Sequence, residues 1–204
     1  NWYREPLHEV EYFMRAPRML GYVGPPPLPY IPQRKAEVDF RFPHAGFGIG
    51  ALPSPEWYKK MWPWQRYAAL ADMLPLPVVI YGGRSDTEIA AKIQARAKNV
   101  KALAIDMHLQ EVAWVLADSC KVFVTNDTGL LHISAAVGVP TVAIFGPTSI
   151  RKNSPVGPGP RVVISSSAPC ASCYGTRAWA TCPGGCMQEI TVELVLASVL
   201  RFLP

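Results

Sequence analysis

The run Asp127-Thr128-Gly129, followed by His132, sets a carboxylate, a hydroxyl, a bare backbone and an imidazole within six residues. Such a set can bind a ligand that carries both phosphates and hydroxyls. Thr128 and Gly129 offer a hydroxyl and unhindered amides to a phosphate. Asp127 repels a diphosphate, so its carboxylate suits sugar hydroxyls or a helix cap. His132 lies four residues after Thr128 and shares its face of a helix that starts there. It either orients the turn or reaches the phosphates. Lys60, just before Trp62-Pro63, can set an ammonium against a diphosphate leaving group. A solvated lysine is the plainer reading of that residue alone, and Lys59 is its rival. Asp86, after Tyr81-Gly82-Gly83 and with Glu88 close behind, can accept both ribose hydroxyls or cap a helix. Met107 can pack on an adenine face or fill a gap. Thr148 closes a later polar turn and can add a phosphate contact. Gly46, with Gly48 and Gly50, can admit a ligand to the backbone or belong to a flexible loop.

The elements that position these groups follow from periodicity. Val122–Thr125 and Thr141–Phe145 are short apolar runs suited to buried parallel strands. Between them Asn126 to Thr128 supply cap chemistry, Leu130–Val137 makes a helix, Gly138 ends it and Pro140 blocks its continuation. This strand–helix–strand unit aims a helix N-terminus past the strand ends, where free amides and the dipole favour an anion. The same rhythm predicts strands at Val38–Phe42, Val78–Tyr81, Val100–Ile105 and Arg161–Ser165. Helices are expected at Pro63–Leu74, Asp86–Ala97, Leu109–Leu116 and Val192–Leu203, the last capped by Thr191. His44–Gly50 reads as a glycine-rich turn. The alternation predicts an α/β fold with a doubly wound parallel sheet, ligands lying outside the carboxyl ends of its strands. Near the start, Val10, Phe13, Met14 and Leu20 give a weak helical pattern that Pro17 should interrupt. Gly24 to Pro32 holds five prolines in nine residues. It reads as a semi-rigid linker or a strapped-down crossing segment.

The chain has 204 residues, 50% hydrophobic and 17% charged, with a net charge of +5. That composition excludes a disordered chain. No apolar run is long enough to span a membrane, and no block of like charge points to nucleic acid. The mild positive charge suits an anionic nucleotide. Cys170, Cys173, Cys182 and Cys186 follow the spacing C-x2-C-x8-C-x3-C. They suit a structural zinc or an iron–sulfur cluster, two disulfides, or four packed free thiols, with zinc the first expectation. Cys120 reads as a small buried residue.

Several motifs in register resemble glycosyltransferase family 9, the ADP-heptose:lipopolysaccharide heptosyltransferases. They are His44-Ala45-Gly46, Lys60-Met61-Trp62-Pro63, Tyr81-Gly82-Gly83, D-T-G-x-x-H from Asp127 to His132, F-G-P-T from Phe145 to Thr148, and the late cysteines. The resemblance covers roughly residues 38 to 204. It implies the C-terminal, donor-binding half of a two-domain (GT-B) inverting transferase, with donor contacts at Gly46, Lys60, Asp86, Met107, Asp127, Thr128, Gly129, His132 and Thr148. No D-x-D triplet is present, and the resemblance implies metal-independent transfer. It further implies an ADP-heptose-like nucleotide sugar, a lipid-linked or lipopolysaccharide-type acceptor, and a cytoplasmic protein, peripheral to the inner membrane. The catalytic base is expected in a preceding domain. Residues 1–37 are then expected to be a remnant of that domain and a Pro-rich linker, and 38–204 the nucleotide-sugar-binding domain with a Cys-rich loop at 169–187. Two other readings stay open: a different nucleotide-sugar enzyme such as an epimerase, and a metal-stabilised interaction domain.

Overall fold

The computed structural model describes residues 7–50, 54, 57–182 and 184–204. In chain order the described elements are α1 (Glu9–Phe13), α2 (Arg15–Met19), β1 (His44–Gly48), α3 (Trp64–Met73), β2 (Val78–Gly82), α4 (Thr87–Arg96), β3 (Val100–Ile105) and α5 (Leu109–Ser119). There follow β4 (Cys120–Asn126), α6 (Gly129–Ala136), β5 (Thr141–Phe145), α7 (Ile150–Asn153), β6 (Arg161–Ser165), α8 (Arg177–Thr181), α9 (Cys186–Glu189) and α10 (Val192–Leu200).

All the strand pairings are parallel, in the order β3-β2-β1-β4-β5-β6. The chain winds outward in one direction from β1 and in the other from β4. Their carboxyl ends therefore part at a topological switch point, where doubly wound sheets take ligands. The fold is α/β and Rossmann-like, as the alternating pattern predicts. One apolar layer forms where α3, α4 and α10 cover one face, with Ile80, Val124 and Ile144 beneath them. Val79, Phe123 and Val115 belong to the layer on the other face, under α5. Gly138 ends α6 in the left-handed region, at φ +83°, the usual service of a glycine after a helix. Thr191 caps α10 by accepting from the Leu194 amide at 3.3 Å.

Two expectations need correction. Val38–Phe42 forms no strand; the first strand starts at His44, inside the expected turn. Glycine is there for packing. A Cβ at Gly46 would lie 2.5 Å from the Phe123 ring, and one at Gly48 would lie 2.6 Å from Thr125 Oγ1. Each glycine faces that bulkier partner across the β1–β4 ladder. Pro17, in turn, sits inside α2, and the break falls at Met14. Of the expected apolar side only Met14 is buried, while Phe13 and Leu20 are exposed. Residues 1–6 of the expected N-terminal remnant lie outside the described residues. After the prolines the chain crosses the sheet end: the Arg34 amide donates to the Gln110 carbonyl at 3.1 Å and Ala36 is buried.

His44 is fully buried. Its Nδ1–H donates to the Phe42 carbonyl at 2.8 Å, and its Nε2 accepts from the Tyr81 hydroxyl at 2.7 Å. Both contacts suit the neutral ring, and burial lowers its pKa below the ordinary 6.5. The unfolded chain thus takes up this proton first. Stability should be full above about pH 6.5 and should fall as pH drops toward the folded value. Urea midpoints from pH 7.5 down to 5 should decline more steeply in the native protein than in His44→Asn. Equal slopes would contradict this account.

Candidate functional site

The strand ends surround a cleft of about 740 Å³. Eight of the nine residues named from the sequence line it: Lys60, Asp86, Met107, Asp127, Thr128, Gly129, His132 and Thr148. Gly46 does not, because it lies in the middle of β1; the glycine that reaches the cleft from this strand end is Gly50.

One wall is the turn from β4 into α6. Thr128 takes the cap position with an extended backbone, and its side chain makes no cap bond. The hydroxyl lies 3.4 Å from Thr125 Oγ1 and remains near the cleft. Gly129 carries nothing that blocks the helix start, since a Cβ there would meet no atom within 4 Å. Asp127 is buried, and Asn153 Nδ2 donates to its Oδ2 at 3.3 Å. His132 places Nε2 3.9 Å from Asp127 Oδ1. Burial is the largest effect on His132 and lowers its pKa, against the opposing pull of Asp127 and Glu9. The ring is therefore neutral at pH 7 and can donate from one nitrogen and accept at the other. Thr148 is only 2% exposed, and its hydroxyl has no hydrogen-bond partner. Such an orphan costs about 1–3 kcal/mol unless a ligand meets it.

Lys60 reaches the cleft from a 3₁₀ turn over Trp57–Lys60. Trp62 anchors that turn: it is 1% exposed, and its indole N–H donates to the Ile190 carbonyl at 2.8 Å. The two neighbouring lysines part company here. Lys59 donates to the Trp179 carbonyl at 2.9 Å, away from the cleft. Lys60 Nζ lies 4.7 Å from the centre of the Trp57 ring and lines the cleft. Burial lowers its pKa and Asp127 partly restores it, so the ammonium is only partly hydrated and available to an anion.

The far end is built from β2 and β3. Asp86 is 4% exposed and accepts from the Gly83 amide at 2.8 Å. Its carboxylate packs so closely that a Cβ at Gly50 would lie 2.5 Å from it. It therefore holds its own turn as well as facing the cleft. Glu88 is exposed and pairs with Lys92 at 2.6 Å. Met107 follows β3 beside Asp106, whose φ is +60°.

A sequence profile described as "Glycosyltransferase family 9 (heptosyltransferase)" matches residues 4–181. The chain belongs to this family. Lipopolysaccharide heptosyltransferase 2 of Escherichia coli K12 is 36% identical over 129 residues, which is 59% of this chain and 36% of that protein. A family 9 glycosyltransferase from Veillonella parvula superposes with a TM-score of 0.73 at 22% identity, covering 98% of this chain and 61% of its own. The E. coli ADP-heptose lipopolysaccharide heptosyltransferase II structure gives 0.67 at 25%, covering 88% and 55%. The chain thus spans only about a third of the curated relative's length.

This family 9 chain also uses residues that no motif announced. Asn126 is fully buried; its Nδ2 donates to the Gly50 carbonyl at 2.9 Å and its Oδ1 accepts from the Tyr67 hydroxyl at 2.9 Å. Trp57 and Tyr174 both line the cleft, their rings tilted 45° to each other with 5.1 Å between centroids. Asp106 is held by Arg84 through Nε and Nη2, at 2.9 and 2.7 Å. Aromatic and amide residues are common in any core, and only the local fold shows which of them reach the cleft.

Among the described residues the structure gives the expected zinc site no support. All five are free thiols. Cys173 and Cys182 are buried with Trp179 in a small satellite core that Cys170 adjoins. Cys186 instead lies in the main core, against Gly146, and burial pushes its thiol up to about 12. Among the described residues no group of three or more His, Cys, Asp or Glu could hold a metal ion.

Proposed function

We propose that this chain binds the nucleotide-sugar donor of a heptosyltransferase-type reaction, an ADP-heptose-like molecule. The observation that carries the reading is the polarity of the cleft. A cation, Lys60, and the N-terminal turn of α6 line the same cleft as the carboxylates of Asp86, Asp106 and Asp127. A diphosphate suits Lys60 and that turn, the nucleoside Asp86, Asp106 and Met107, and the sugar Asp127 and His132. The E. coli structure named above is that of an ADP-heptose-using enzyme, which agrees with this assignment. Lys60 and the first amides of α6 can stabilise the departing diphosphate in the way preorganised donors do, which supports transfer without a catalytic metal. The acceptor, of lipopolysaccharide type, belongs to the portion of the relatives that this chain does not span. Among the described residues no helix is long and apolar enough to cross a membrane. We place the protein in the cytoplasm, at the inner membrane where such acceptors are held. Residues 1–37 are read as the tail of a preceding domain and its linker.

Calorimetry with ADP, UDP and GDP in EDTA tests the reading. ADP should bind without added metal. Binding that needs magnesium would overturn the metal-free assignment, and a folded chain that binds no nucleotide would overturn the site.

A further inference from the structure

The N-terminal helix α1 brings a second carboxylate to the cleft. Glu9 lines it together with Asp127 and His132. His132 in turn lies 3.9 Å from Asp127. The position of Glu9 is fixed by its neighbour. His8 caps α1 through Nδ1, which accepts from the Val10 amide at 3.2 Å. Its Nε2–H donates to the Ser154 carbonyl at 2.9 Å. Ser154 follows α7 directly, and Asn153 of α7 donates to Asp127 at 3.3 Å. A single frame of hydrogen bonds thus holds Glu9 and Asp127 relative to each other, and the buried Met14 anchors the far end of the helix.

Thr148 follows β5, the strand beside β4. Its hydroxyl is nine-tenths buried, faces the cleft and has no partner. A buried hydroxyl left so is stabilised only when a polar ligand arrives. Ionised carboxylates only accept hydrogen bonds, and they repel other anions. A sugar hydroxyl suits Glu9, and a sugar carboxylate does not.

We propose that Glu9 is a sugar-recognition residue. Together with Asp127 it accepts hydrogen bonds from a neutral, hydroxyl-rich donor sugar and disfavours donors whose sugar is acidic. His8 is a positioning residue for it. The proposal rests on the donor reading of the cleft given above. It assigns to the N-terminal segment a part in choosing the donor, although that segment lies outside the α/β alternation.

The test is calorimetry of the native chain, Glu9→Ala and Glu9→Gln with ADP and with ADP-heptose. Native protein should bind ADP-heptose more tightly than ADP. Glu9→Ala should lose about tenfold in ADP-heptose affinity, the scale of one hydrogen bond to a charged group, and should keep its ADP affinity within about twofold. That unchanged ADP affinity also reports a folded cleft. Glu9→Gln should keep part of the sugar's contribution, since its amide still bonds hydroxyls. Equal losses for both ligands, no loss for ADP-heptose, or native protein that binds ADP-heptose no better than ADP would each overturn the proposal. Native protein that binds neither ligand would overturn the donor reading itself.

Discussion

Lys60→Ala should weaken ADP binding by roughly 10- to 150-fold, the equivalent of about 1.5–3 kcal/mol for a hydrogen bond to a charged group. Lys59→Ala should change it by less than about threefold. The contrast follows from the turn they share. Lys59 donates into the satellite core at the Trp179 carbonyl, whereas Lys60 faces the cleft over Trp57. Lys59→Ala should instead show itself as a loss of stability. Burial lowers the Lys60 pKa, so ADP binding should weaken with rising pH before the ordinary lysine range, near 10.4, is reached. Titration calorimetry of both variants, with the native protein repeated across alkaline pH, checks all of this. Equal effects of the two substitutions would mean that the diphosphate lies elsewhere.

The second large effect concerns turnover. A transferase must deprotonate its acceptor hydroxyl, and general base catalysis typically contributes about 10²–10⁴-fold. Positioning of the acceptor contributes more. The 204-residue chain covers about a third of the E. coli relative, and the proposed function assigns its cleft to the donor. It should therefore bind ADP-heptose and transfer heptose to lipopolysaccharide acceptor slower, by at least that factor, than a protein spanning the relatives' full length. Adding the portion of the relatives that this chain does not span, fused or in trans, should restore the rate. ADP release in the presence of acceptor measures it. Efficient transfer by this chain alone would prove the division of labour wrong and return attention to Asp127 and His132 as bases. His44, buried beneath Phe42 and Tyr81, could not serve.

The sequence made the right half of the sheet legible because β4, α6 and β5 carry strong local signals. An apolar run, a cap cluster, a terminating glycine and a proline all agree there. It failed at β1 because His44–Gly48 owes its glycines to Phe123 and Thr125, partners some 77 residues away in the chain. A local reading sees only flexibility in such a run. Lys60, Asp127 and Thr128 could be named because their chemistry is unusual at a strand end or helix start. Glu9 could not, since it sits in a weakly patterned helix whose docking depends on Ser154. The thiols were legible only in part: close spacing in sequence does place the four near one another, with Cys170 packing against both the satellite core of Cys173 and Cys182 and the main core of Cys186, but spacing does not say whether they hold a metal.

The Asn126 amide has a consequence for the rigidity of the cleft. The β1–β4 ladder ends at Gly48 and Thr125, and beyond it no strand pairing fixes how the chain leaving β1 stands to the end of β4. This one side chain does so, tied to Gly50 on one side and to Tyr67 on the other, with the Tyr67 hydroxyl also 3.3 Å from the Gly48 carbonyl. The floor of the cleft is therefore held at a set width, and a ligand too broad for it cannot gain room by spreading these two strand ends.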